Sequence, residues 1–342
     1  MANNSTLNKA RYELMSDEFY TPYELIEKEL KHYSSQLKNK VVLCNCDYPL
    51  DSNFAMYFIK NFKSLSLKKL VCTAYTAPGK AEFDKTGAVK RPISREHGWV
   101  LELETVPDWI IESTDKIDIC DWLIREKLIK RLNDDGDFLG PECLSYLMKS
   151  DFVITNPPFS KFREIVSMII KFQKKFLLIG NANALTYKEI FPLLRDNKAW
   201  IGHGFGDMYF RVPQESQPRS TRFWIDDQGQ KWRSLGNAMW LTNIDIEKRH
   251  IPLELEKEYD PEVYPKYDDF DAIEVSRVAE IPKNYFGIMG VPITFLNKHD
   301  PDQFDIVGEA NHGSDNSYDL FRPTINGKLK FKRILIRRKV DD

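Results

Sequence analysis

The 342 residues make about two domains at roughly 150 residues each, and a composition 42% hydrophobic and 13% aromatic excludes a disordered or low-complexity chain. With 49 basic against 51 acidic residues the net charge is only -2, so a polyanion must be met by local basic patches and not by the global field. No apolar run approaches the roughly 20 residues that span a bilayer, the polar start is no signal peptide, and the odd count of 5 cysteines reads as free, buried thiols in a reducing cytoplasm.

In chain order, residues 16–30 predict a helix with Ser16 or Asp17 as cap, Pro22 in its first turn and Leu25, Ile26 and Leu30 on one face. VVLCNC (41–46) predicts a strand that ends in a polar turn, followed by a helix from about Asn53 to Asn61 with Phe54, Tyr57 and Phe58 on one face. KLVCTAY (69–75) predicts a second strand. A charged insertion at about 78–98 follows, carrying Lys80, Lys85, Lys90, Arg91 and Arg95. Residues 99–104 alternate like an edge strand, 122–132 have helical periodicity, and NDDGDF (133–138) predicts a turn before a short helix. FVIT is a buried-type strand running straight into Asn156-Pro157-Pro158-Phe159.

Beyond it, 162–172 and 186–194 predict helices, and 176–180, 199–204 and 238–244 strands. GHGFGD (202–207) lacks the Lys-Ser/Thr of a phosphate loop and reads as a flexible connection. Strands alternating with helices of about ten residues predict an α/β fold with a mostly parallel sheet covered on both faces. From about Glu247 the chain becomes acidic, Pro- and Tyr-rich and aperiodic, which predicts an α+β appendage. The expected domains are residues 1–245 and 246–342.

The segment after FVIT carries chemistry. In an α/β sheet, ligands sit at the carboxyl ends of strands. Two prolines fix the backbone there, so the Asn156 amide oxygen and the Pro157 carbonyl can point at one spot. Such a pair of acceptors suits an exocyclic NH2 on a planar base: accepting both hydrogens draws the nitrogen lone pair out of conjugation and toward an electrophile. Phe159 offers a face for the base, worth about 1–3 kcal/mol. No strong general base is needed, because the proton becomes acidic once the nitrogen is alkylated. Taken alone, the segment is equally a Pro-Pro turn that ends a strand.

Asp/Asn-Pro-Pro-aromatic is the catalytic motif of amino-methyltransferases that use S-adenosylmethionine. TNPPFSKF (155–162), SDEFYT (16–21) and CNCDYPLDSNF (44–54) together resemble the EcoRI-type adenine-specific DNA methyltransferase family. GIMGVPITFLNKHDPDQF (287–304) and the terminal RILIRRK resemble that family's C-terminal portion, so the resemblance runs over nearly the whole chain. It implies a Rossmann-like class I methyltransferase sheet followed by an α+β target-recognition region. The implied reaction moves a methyl group from S-adenosylmethionine to N6 of a flipped adenine in double-stranded DNA, with Asn156, Pro157, Pro158 and Phe159 as the catalytic residues.

The cofactor site implied by the resemblance falls in three places: Phe19, Tyr20 and Thr21 at the methionine end; Asn45, Cys46, Asp47, Pro49, Ser52, Asn53 and Phe54 in the first strand-turn, whose backbone donors and helix dipole would meet the cofactor carboxylate; and Asp137 with Phe138 at the adenine ring. The turn between Asp47 and Phe54 departs from the usual pattern in having no glycine, and the strand at 70–75 ends without the acid that usually binds the ribose; Thr73, Tyr75 and Thr76 are the nearest polar residues. No metal is implied.

A flipped base requires grip on phosphates and selection by base edges. Besides the insertion, residues 214–233 interleave Arg219, Arg222, Lys231 and Arg233 with Trp224 and Trp232, and residues 328–339 are basic at seven of twelve positions. On one continuous strand, Lys328, Lys330 and Lys332 would share a face. The expected protein is a cytoplasmic monomer acting on DNA, away from membranes, either as an orphan or phage modification enzyme or in restriction-modification, where a cognate restriction endonuclease would act on the same site without a stable complex. The alternatives are an RNA-base or protein-glutamine methyltransferase and a catalytically inactive DNA-binding relic.

Overall fold

The computed structural model describes residues 20–75, 97–214, 216–218, 220–311 and 317–340. Ser16, Asp17, Phe19, Arg219 and the basic insertion with Lys80, Lys85, Lys90, Arg91 and Arg95 lie outside the described residues. The chain divides into two compact units, Met1–Gly180 with Gly206–Trp240 and Asn181–Phe205 with Leu241–Asp342. The stretch Asn181–Phe205, which a boundary at residue 245 leaves in the first domain, thus clusters with the C-terminal residues.

Helix α1 (Tyr23–Leu30) begins directly after Pro22, which is its N-cap and not part of its first turn. There follow β1 (Val41–Cys44), α2 (Asn53–Lys60), β2 (Lys69–Ala74), β3 (Trp99–Leu103), α3 (Asp108–Glu112), α4 (Lys116–Arg125), β4 (Ile129–Arg131), α5 (Pro141–Lys149), β5 (Phe152–Thr155), α6 (Phe162–Lys171) and β6 (Lys175–Asn181). Then come α7 (Phe191–Arg195), the 12-residue β7 (Trp200–Arg211), β8 (Phe223–Ile225) and the 12-residue β9 (Lys231–Thr242). Among the described residues nine of these strands form one mixed sheet in the order β4-β3-β2-β1-β5-β6-β9-β7, with β8 paired to β9. β2, β1, β5 and β6 are parallel, and their apolar runs are buried almost end to end, the pattern of strands with both faces covered.

Several expectations need correction. Trp99–Leu103 is not an edge strand: it pairs antiparallel with β2 on one side and β4 on the other, and β4 is the edge. The helix expected at 122–132 begins earlier, where Asp115 caps it by accepting from the Ile117 amide, and it stops before Lys127, whose φ of 52° leaves the helical region. The helix expected at 186–194 is a 3-10 segment at Ala182–Thr186 and the short α7. Residues 202–207 are no flexible connection but the middle of β7, where Gly206 takes a φ of +108° open to glycine. Within 214–233, β8 pairs with the start of β9.

The second unit contains β10 (Ala272–Glu274), β11 (Ile288–Val291), β12 (Phe304–Ala310), β13 (Asp319–Phe321), β14 (Thr324–Ile325), β15 (Lys328–Leu329) and β16 (Arg333–Arg338). Five of them form a sheet in the order β10-β11-β16-β12-β13, and β14 and β15 form a hairpin whose two-residue turn, Asn326-Gly327, has both φ values positive, as its tightness requires. Residues 328–339 are therefore not one strand: the run breaks between Leu329 and Arg333, and Lys328, Lys330 and Lys332 do not share a continuous face. Arg333, inside that basic run, is an internal residue. Its guanidinium grips Glu274 through Nε and Nη2, with only 11% and 4% of the two side chains exposed, and the Tyr267 hydroxyl donates to the same carboxylate.

Candidate active site

The register of β1 on β5 pairs Val42 with Phe152 and Leu43 with Val153, so both chains leave the sheet at the same end. Asp47, just past β1, has a buried carboxylate held from two sides: Oδ1 accepts from the Ser52 hydroxyl at 2.6 Å and Oδ2 from the Thr155 hydroxyl at 2.5 Å. Its backbone NH donates to the Thr73 carbonyl at 3.1 Å, tying the turn to β2 as well. Ser52 also caps α2, accepting from the amides of Phe54 and Ala55. Two of the amides expected to serve a ligand carboxylate are thus already engaged by Ser52, while the helix dipole still points at the turn.

A second set of bonds ties Tyr20 and Thr21 to this turn and to the Asn-Pro-Pro-Phe segment. The Asn53 amide donates to the Thr21 carbonyl at 2.8 Å, and the Asn156 Nδ2 donates to the Thr21 hydroxyl at 3.1 Å. Donation through Nδ2 fixes the side-chain amide and turns Oδ1 the other way. Pro157 is buried, Pro158 half-buried, and Phe159, also half-buried, opens the 3-10 turn Phe159–Lys161. Tyr20 pairs by two backbone bonds with Arg211 at the end of β7, and the Arg211 guanidinium lies over the Tyr20 ring and bonds Asp51 at 2.7 Å.

Burial pushes the Asp47 carboxyl up to about 6, against the pull of the Ser52 and Thr155 hydroxyls. Burial, with Asp47, Cys143 and Asp137 nearby, pushes the Cys46 thiol well above its usual range, so it stays protonated and unreactive. Tyr75 at the end of β2 is likewise raised, by burial and then by Asp135 and Asp137. The ends of β1 and β2 are therefore ringed by carboxylates, which suits a cationic ligand.

Asn45, Asp47, Pro49, Ser52 and Phe54 are buried in or beside the turn, and Cys46 and Asn53 are half-buried. Asp137 is exposed, its Oδ1 accepting from the Leu139 amide, and Phe138 is half-buried. Their turn is pinned at Gly136, whose φ of +81° sets it against the Ala74 carbonyl at the end of β2, where a Cβ would lie 2.4 Å from the oxygen. The structure thus brings together the segments around Thr21, Asp47 and Asn156. Sequence reasoning missed Thr155 as a partner of Asp47, although a hydroxyl directly before the Asn-Pro-Pro-Phe segment was the available signal. It also missed Arg211, which nothing in its local sequence marks.

The candidate basic residues are less free than a charge run suggests. Arg222 pairs with Asp207, Lys231 donates to the carbonyls of Gln214 and Ser216, and Arg233 is half-buried in β9. Lys328 is exposed and Lys330 half-buried, but Lys332 is half-buried against the Thr186 hydroxyl, and burial lowers its pKa.

The Asn-Pro-Pro-Phe segment and the acidic turn after β1 thus lie side by side at the ends of the parallel strands within the mixed sheet. The family described as adenine-specific methyltransferase EcoRI matches residues 6–339, and the chain belongs to that family. It is 42% identical over 342 residues to the type II methyltransferase M.EcoRI of Escherichia coli, covering 99% of this chain and 98% of that protein. It is 33% identical over 301 residues to the type II methyltransferase M.MpnI of Mycoplasma pneumoniae, covering 85% of this chain and 82% of the relative. No solved structure matches the chain significantly. Among the described residues, no helix is long and apolar enough to cross a membrane.

Proposed function

We propose that this adenine-specific methyltransferase moves a methyl group from S-adenosylmethionine to N6 of an adenine flipped out of double-stranded DNA. The observation that carries the reading is the bond from Asn156 to Thr21, which aims the Asn156 amide while Asp47, Ser52 and Thr155 join the neighbouring turn to the same strand end.

When bound, S-adenosylmethionine supplies an activated methyl group. The carboxylates at the ends of β1 and β2 suit its cationic groups; Tyr20, Thr21, the turn from Asn45 to Phe54, and Asp137 with Phe138 are the residues that would hold it. Asn156 Oδ1 and the Pro157 carbonyl accept the two amine hydrogens, Pro158 stiffens the segment, and Phe159 stacks on the base. Placement of the amine does most of the work, because the methyl group arrives already activated.

The reading extends to the whole chain. The parallel strands act as a Rossmann-like class I core, residues 246–342 select the target, and Arg222, Lys231, Arg233, Lys328, Lys330 and Lys332 belong to the faces turned to DNA. A monomer suffices for one strand per visit. The relatives' type II naming fits a cognate endonuclease acting on the same site, and a cytoplasmic location.

The test is DNA from a methylation-free bacterial host expressing the protein, read by single-molecule sequencing for N6-methyladenine. Modified adenine at one short motif is expected, and none with Asn156→Ala, which should still bind cofactor and duplex. Normal methylation by that variant would overturn the assigned chemistry, and unmodified host DNA would turn the search to RNA or protein acceptors.

A further inference from the structure

We propose that Trp224 stacks on a base of the duplex beside the flipped adenine, an inference that rests on the DNA-methylating reading above. The argument starts from placement. Asn156 is bonded to Thr21, and Tyr20 pairs with Arg211 through backbone bonds of 2.8 and 3.0 Å. The next residue, Val212, donates its NH to the Lys231 carbonyl at the start of β9, and Trp232, one residue further on, faces Trp224 across the β8–β9 ladder. A few residue steps therefore lead from Asn156 to a pair of indoles.

Those indoles are held, not loose. Their planes lie within 8° of each other with centroids 6.3 Å apart. Trp232 is pinned by its Nε1–H bond to Asp226 at 2.7 Å and by the edge of the Tyr209 ring at 5.9 Å. Asp226 is held below the usual carboxylate range chiefly by that indole bond, so it remains an acceptor at working pH. Trp224 rests on this base yet stays 41% exposed, beside an Ile225 that is 55% exposed. A rigid indole loses little conformational freedom when a flat group covers it.

The occupant is a nucleobase. Removing one base from the stack exposes the faces of its neighbours, and every base has a face on which an aromatic ring can lie. Arg222, paired with Asp207, and Lys231, bonded to main-chain carbonyls, flank the β8–β9 ladder as cations beside the indoles, which leaves the ring face itself to a base.

The experiment compares wild type, Trp224→Ala and Trp224→Phe on a short duplex carrying the sequence that the wild type methylates. Steady-state kinetics with varied duplex run alongside calorimetry with S-adenosylmethionine. Trp224→Ala should lower kcat/KM for the duplex about 5- to 150-fold, the range that loss of one base–aromatic stack implies. Cofactor affinity should not change, and Trp224→Phe should recover most of the loss. A Trp224→Ala variant within twofold of wild type, or a loss that Trp224→Phe does not recover, overturns the proposal. Failure of the wild type to methylate any duplex overturns the DNA reading first, and the stacking proposal with it.

Discussion

Asp47 is the residue on which the candidate site turns. Its carboxyl titrates near 6 because it is buried, so folding favours the protonated acid. The resulting stabilisation is complete below about pH 4, the range of a free Asp, and is lost as the pH rises through 6. It amounts to about 3 kcal/mol at most. Asp47→Asn removes the titration, so the stability of wild type relative to D47N should fall by up to that amount between pH 4 and pH 7.5. Urea unfolding of both proteins across this range measures it; parallel curves would mean that the carboxyl is not held in this way. The Asn156 amide poses a simpler case, since a donor bond to Thr21 decides which way its Oδ1 points.

At the level of elements, the turn between β1 and α2 holds its shape without a glycine, through a hydroxyl and a carboxylate. Ser52 accepts two amides of α2 and donates to Asp47, so one hydroxyl both starts the helix and fixes the acid. Ser52→Ala should cost about 1 kcal/mol for the lost cap and lower the melting temperature. It should also weaken cofactor binding in calorimetry, because Asp47 loses a donor; Ser52→Thr should keep most of both. Unchanged cofactor affinity in Ser52→Ala would separate the cap from the site.

Much of this architecture was legible in the sequence, and the rest was not for physical reasons. β1, β5 and α6 were readable because each is an uninterrupted apolar run or stripe bounded by turn residues. β4 was not, since three residues with a helical neighbour carry no period of their own. The first part of β7 was read as a strand at 199–204, but its continuation to Arg211 hid behind the glycines, which read as a connection when judged without the partner strand. The grouping of Thr21, Asp47 and Asn156 followed from resemblance and not from spacing, and Thr155 escaped because its role exists only once β1 and β5 lie side by side. Arg333 misled for a related reason: a charge run looks solvated until one member proves to be the buried partner of Glu274.

Across the whole molecule the charge balance of -2 leaves no long-range pull on a polyanion. Affinity for a duplex must then come from a small number of local contacts and fall with salt in proportion to them. Lys328→Ala and Lys330→Ala should each reduce the slope of log affinity against log salt by about 1, while kcat at saturating duplex stays unchanged. A slope equal to that of wild type in both variants would remove the β14–β15 hairpin from the DNA-facing surface.

The threading of the chain through its two units has a consequence for how the protein is made. Residues 181–205 belong with the C-terminal unit, but the chain then returns to complete the first unit with residues 206–240 before going back. During synthesis at about 5–20 residues per second, the roughly 60 residues from 181 to 240 take about 3–12 s to emerge. For that interval the nascent first unit lacks β9 beside β6, and segment 181–205 has no partners yet on the ribosome. Neither unit can be released by one cut in the gene, so an insertion, split or fusion that respects both must be placed at a loop tip and not at a boundary.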